Sequence, residues 1–176
     1  MVSVRDFTKE LIPSARPGVY TLFRESEDPP VFLARSPAGR HNGKDPTEDV
    51  NILRSKWVDT AQVIYIGKAD LRWGRGPRPS TDLRKRVDNY VRHGRGRNAG
   101  HWGGRYARQV ADSADLEVAW MVTQGDPRAM EKRLLEDFNC LRQAYVCEHQ
   151  PLTWSSQISP QIAVGSGADR IIAPRP

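Results

Sequence analysis

Cysteine is scarce in this chain: two residues, Cys140 and Cys147, among 176. No disulfide framework is implied, and free thiols are the default. Long hydrophobic runs are missing too. No apolar stretch approaches the roughly 20 residues that cross a bilayer, and the opening MVSVRDFTKELIP lacks the apolar core of a signal peptide. The expected location is therefore cytoplasmic, with no membrane partner. Internal repeats and a linker separating two domains are also lacking, and the length suits one domain with a modest core.

Negative charge is what one window lacks most. Residues 68–108 hold twelve Lys or Arg against three Asp or Glu, a local charge of +9, so the remainder of a chain with net charge +6 sums to −3. Ten of the twelve are arginines, whose planar fork matches phosphate oxygens in pairs. A preference for arginine over lysine on all surfaces would explain the ratio of the two but not their clustering. A polyanion, nucleic acid, is the expected partner.

The coarse pattern runs from a short helix in VRDFTKELIPSA, ended by Pro13, to a strand in GVYTLF (18–23). VFLA (31–34) is a candidate short strand, SPAGRHNGKDP a loop, and TEDVNILRSKWV a helix capped by Thr47. AQVIYIGKA is the second strand. DLRWGRGPRPST reads as a loop by its Gly, Pro and Arg content, and the helix after it, DLRKRVDNYVRH, takes Ser80 or Thr81 as cap. Leu83, Val87, Tyr90 and Val91 recur at i, i+4, i+7 and i+8, one apolar face. A basic glycine-rich loop, GRGRNAGHWGG, leads to a short helix in GRYARQVA and a third strand in LEVAWMV (116–122). Asp126-Pro127 then opens the longest helix, to about Tyr145. The fold class expected is α/β (α+β): a small three-stranded, largely antiparallel sheet flanked by helices.

On that last helix Met130, Leu134, Phe138, Leu141 and Tyr145 share a face, and Glu131 falls inside the apolar arc, between Phe138 and Leu135. A carboxylate there needs a cation or metal as partner, unless it merely favours the helix N-terminus and snorkels outward. Arg86 borders the apolar face of its own helix, where its methylenes could simply cover the core edge. Each residue alone has a structural explanation.

Together they form a pattern. Gly18-Val19-Tyr20, Tyr65-Ile66-Gly67, Arg86 within LRKR, Tyr90 one turn later and Glu131 on a later helix resemble the GIY-YIG nuclease family, over about residues 17–153. The sequence departs from the family pattern in three ways. Val19 stands where isoleucine is usual, and 44 residues separate Tyr20 from Tyr65 where a short hairpin link is usual. The closing asparagine is replaced within Gln150-Pro151-Leu152-Thr153-Trp154, by Thr153 or Trp154. The organisation that follows is a helical extension at 1–16, a nuclease domain at 17–153 with an insertion at 24–60, and a peripheral, partly disordered tail at 154–176.

The resemblance implies hydrolysis of DNA phosphodiesters, with one divalent ion, Mg²⁺ or Mn²⁺, held by Glu131. Arg86 would clamp the scissile phosphate and Tyr20 would act as general base. Tyr65 would orient water or phosphate, Lys68 and Arg86 would lower the Tyr20 pKa, and Tyr90 would add a hydroxyl to the cluster. Arg72, Arg75, Arg78, Arg84, Lys85, Arg92, Arg95 and Arg97 are the candidates for backbone phosphate contact. Trp73, Trp102 and Tyr106 could stack on bases or pack in the core. One site cuts one strand, so the expected state is a monomer or transient homodimer.

Two other readings compete, and two weaker ones are set aside. The missing asparagine motivates a nucleic-acid-binding module whose catalysis has decayed, and RNA could replace DNA as substrate. Zinc on Cys140, Cys147 and His149 lacks a fourth ligand at a usual spacing. GRGPRPS, for its part, lacks the strand-to-helix context of a phosphate-cradling loop.

Overall fold

The computed structural model describes residues 1–58 and 61–149, with side chains as far as Cys140. The chain order is β1 (Val2–Ser3), a single 3-10 turn (Lys9–Leu11), β2 (Gly18–Phe23), α1 (Val50–Lys56), β3 (Val63–Ala69), β4 (Arg72–Trp73), β5 (Pro79–Thr81), α2 (Leu83–Gly94), α3 (Arg105–Arg108), β6 (Glu117–Val122) and α4 (Pro127–His149). Mixed α/β architecture and an antiparallel sheet agree with the expectation. The sheet, however, has four strands in the order β1-β6-β2-β3, and β4 with β5 makes a separate two-stranded ribbon.

The extra strand comes from the segment expected to be helical. Val2 and Ser3 pair with Val118 and Glu117 along the open edge of β6. Ser3 Oγ then accepts from Asp6 N and donates to Asp6 Oδ2, the kind of local side-chain bonding that competes with a helix. Only one helical turn remains, and Val4, Phe7 and Ile12 drop into the core. Residues 1–16 thus belong to the sheet and core rather than forming a helical extension.

The helix starts also differ, for one shared reason: the residues expected to cap are used elsewhere. Thr47 Oγ1 accepts from Ser36 N, and Glu48 N donates to Gln109 Oε1, so α1 begins only at Asp49, whose carboxylate accepts from Asn51 N. Residues 79–81 are held in β5, where Thr81 pairs with Arg72, so Asp82 caps α2 by accepting from Lys85 N at 2.7 Å. The longest helix begins as expected at Asp126, which accepts from Arg128 N.

The apolar face of α2 behaves as read, with Leu83, Val87, Tyr90 and Val91 all buried against the sheet. At about 1.5–3 kcal/mol per fully buried aliphatic side chain, this face anchors α2. On the other side of the sheet Met121 shares a shallow groove with Ala129, Met130 and Arg133 of α4. The insertion between the first two long strands folds as a layer over α3. Phe32 forms a bridge with Val110, Gln109 Nε2 donates to the carbonyls of Leu33 and Glu48, and Arg24 pairs with Asp112 at 2.7 Å. The side chains of Leu141, Tyr145, Cys147 and His149, together with Thr60, the Gln150–Trp154 segment and the tail expectation, fall outside what is described.

Candidate active site

Strand pairing builds the centre. Tyr20 on β2 lies directly opposite Gly67 on β3, and Tyr65, two residues earlier, projects from the same face of the sheet. Their rings sit 5.8 Å apart, tilted at 42°. A Cβ at Gly67 would come within 2.7 Å of Tyr20 Cζ and Oη and of Tyr65 Cε1. Glycine stands beside the tyrosines because both rings close over its backbone.

Two residues of α2 complete this face. Arg86 is half-buried, and its guanidinium donates from Nη1 to the Gly100 carbonyl at 3.1 Å. Burial alone would lower the Arg86 pKa, yet the net direction is up, because Tyr20, Tyr65 and the Glu131 carboxylate all favour its positive charge. Tyr90, one turn on, is fully buried and stacks under Arg108, whose Cζ is 3.8 Å from the ring centroid. Burial outweighs the Arg108 charge and pushes the Tyr90 hydroxyl up to about 12. Glu131, on α4, is 8% exposed, so it does not snorkel into solvent. Tyr20, Tyr65 and Arg86 therefore come together from β2, β3 and α2, and the Glu131 charge on α4 acts on Arg86.

Lys68 does not join them. It pairs with Val19, so strand alternation turns it to the opposite face, where Asp70 holds its ammonium at 3.0 Å. The cation facing Tyr20 is Arg86. Its attraction does not prevail: burial first, then the neighbouring Tyr65, raise the Tyr20 pKa well above that of a free phenol. With Tyr20 at 1% and Tyr65 at 4% exposure, both phenols are enclosed.

Sequence reasoning missed one member. His101, from the glycine-rich loop, is fully buried and packs on three tyrosine rings: Tyr90 at 5.1 Å, Tyr20 and Tyr65 at 6.0 Å. Its Nε2 is hydrogen-bonded to Tyr20 Oη, and its Nδ1 accepts from Gly104 N at 3.2 Å. Burial and the nearby Arg86 charge hold its pKa well below the ordinary imidazole value. The available signal was Gly103-Gly104 just after it. A Cβ at Gly104 would lie 2.6 Å from the Tyr90 ring and 2.9 Å from His101 Cε1, so this glycine is packed in the site rather than marking an open loop.

The basic residues divide into two groups. Arg72, Arg75, Arg78, Lys85, Arg92, Arg95 and Arg97 are exposed, and Trp73 is 61% exposed on the β4–β5 ribbon beside the first three. Arg92 lies 3.9 Å from Asp88, and Arg95 donates to the Arg5 carbonyl. Arg84, in contrast, is held by the Ile12 carbonyl at 2.6 Å. Arg105 and Arg108 are buried, and Trp102 and Tyr106 pack against Arg105. Among the described residues no group of three His, Cys, Asp or Glu side chains is placed to hold a metal, and Cys140 is an exposed free thiol. No family model, curated protein or solved structure matches the chain.

Proposed function

We propose that this protein is a phosphodiester hydrolase, and more specifically a GIY-YIG-type endonuclease acting on DNA. The observation that carries the reading is the Tyr20–Tyr65 pair on one face of the sheet, with Arg86 beside it and the buried Glu131 favouring the Arg86 charge. A hard carboxylate oxygen suits Mg²⁺ or Mn²⁺, and Mg²⁺ needs only one or two protein carboxylates when water and substrate phosphate complete its shell. Glu131 fits that requirement, and the ion it would hold supplies charge neutralisation at the scissile phosphate.

The chain's own residues supply the rest. Arg86 exchanges the Gly100 carbonyl for phosphate oxygens, a stronger, doubly charged contact. Tyr20 Oη uses the lone pair that His101 leaves free to accept the proton of the attacking water, while Tyr20 passes its own proton toward Tyr65. The water oxygen bonds to phosphorus as the bond to the 3′ oxygen breaks, the water's proton passes through the Tyr65 hydroxyl to solvent, and the departing 3′ oxygen takes a proton from solvent. Tyr90 shapes the buried side of the cluster. The exposed Arg72, Arg75 and Arg78, with Trp73, form the surface for the DNA backbone.

The test separates cleavage from binding. Glu131→Ala and Arg86→Ala are expected to abolish plasmid nicking while duplex binding persists; variants that nick at the wild-type rate would sink the assignment. A second reading, a binding module whose catalysis has decayed, is favoured by one observation: the enclosure of both tyrosines. Wild-type protein that binds several substrates and cleaves none in either metal would establish it.

A further inference from the structure

Hydrogen-bond directions around His101 go one step further, and their catalytic consequence rests on the nuclease reading above. The Gly104 amide can only donate, so His101 Nδ1, at 3.2 Å from it, carries a lone pair. A cationic imidazole, or the other neutral tautomer, would set two N–H groups face to face in a fully buried position, a costly arrangement. The single ring proton therefore lies on Nε2, the nitrogen bonded to Tyr20 Oη.

His101 thus donates and Tyr20 accepts. The Tyr20 proton is thereby turned away from His101, on the face it shares with Tyr65, whose ring centroid lies 5.8 Å from its own. Tyr90 offers no alternative route, since its hydroxyl has no hydrogen-bond partner.

We propose that His101 is a positioning residue whose Nε2–H fixes the direction of proton flow, from Tyr20 outward to Tyr65 and never into the imidazole. Its donor stabilises the charge that Tyr20 develops as the proton leaves. A histidine acting as the proton's destination would need its lone pair on Nε2, which the Gly104 amide forbids.

Two measurements test this. A long-range ¹H–¹⁵N correlation spectrum of the intact wild-type protein reads the tautomer directly, without reference to cleavage. The expected pattern has the proton on Nε2; a proton on Nδ1 overturns the proposal. Nicking kinetics of His101→Gln and His101→Leu supply the second readout. Glutamine retains an N–H donor and is expected to keep most of the wild-type kcat. Leucine is expected to lose roughly ten- to a hundredfold in kcat, the worth of one hydrogen bond to a developing charge, with KM unchanged. Leucine with undiminished kcat, or a folded glutamine variant as slow as leucine, contradicts it. If wild-type protein does not nick DNA, the nuclease reading fails by itself, and the spectrum still decides the direction of the bond.

Discussion

At the scale of residues, Gly67 and His101 explain the site better than the charged groups do. Alanine normally outperforms glycine within a strand by up to about 1 kcal/mol. Gly67→Ala should do the reverse, because the added carbon meets Tyr20 and Tyr65 at 2.7 Å. A loss of about 1–3 kcal/mol in urea unfolding is expected; a stabilised variant would show that the rings have room. The buried imidazoles set the acid behaviour. His101 is lowered well below its ordinary value by burial and by Arg86, and His93 is lowered by burial. In the unfolded chain both bind protons near pH 6.5, so the unfolded state takes up more protons than the folded one below that value. Stability must then fall as pH drops from about 6.5, by up to about 1.4 kcal/mol per pH unit for each histidine, until the folded-state values are reached. Denaturation midpoints between pH 7 and 5 check this, and His101→Gln should flatten the slope; an unchanged slope contradicts the burial argument.

At the scale of elements, α2 is the part on which the site depends, since it carries Arg86 and Tyr90 on one side. Its cap, Asp82, is buried and accepts from both Lys85 N and Ala15 N, at 2.7 and 2.8 Å. Asp82→Ala should therefore cost about 1–3 kcal/mol, more than a surface cap, as read by thermal or urea unfolding. A change below about 0.5 kcal/mol would mean the helix start is held by packing alone. The amphipathic face of α2 was legible in the sequence because Leu83, Val87, Tyr90 and Val91 follow a 3.6-residue period that nothing else in the fold opposes. The two tyrosine strands were legible from their β-branched and aromatic content. Short pairings were not. β1, β4 and β5 span only two or three residues each, and they exist because a partner edge is nearby. The caps failed for the same reason: Thr47 and Thr81 are committed to contacts distant in sequence or to a strand. In the site, Tyr20, Tyr65, Arg86 and Glu131 were accessible because unusual residue types stood on recognisable elements. His101 sat in a glycine-rich loop whose packing only the fold creates, and the side to which Lys68 turns depended on strand register.

At the scale of the whole molecule, the uneven charge has a structural basis. Two of the window's ten arginines, Arg105 and Arg108, are buried under the insertion and against Tyr90, and Arg84 ties down the N-terminal turn. The remaining exposed cations include Arg75 and Arg78, in the turn that joins β4 to β5, and Arg72, whose guanidinium pairs with Asp70 at 3.0 Å; in the proposed reading they meet the polyanion. Duplex binding should weaken steeply with salt, at a log–log slope of about −0.9 for each phosphate neutralised. Replacing the three ribbon arginines by glutamine should lower that slope by about 3, roughly one per residue. A slope unaffected by those changes would place the interface elsewhere. Catalysis is the central claim, and nicking of supercoiled plasmid by wild-type protein tests it most directly. The account predicts relaxed circles in Mg²⁺ or Mn²⁺ and none in EDTA. Protein that binds the plasmid and leaves it supercoiled in both metals would contradict it.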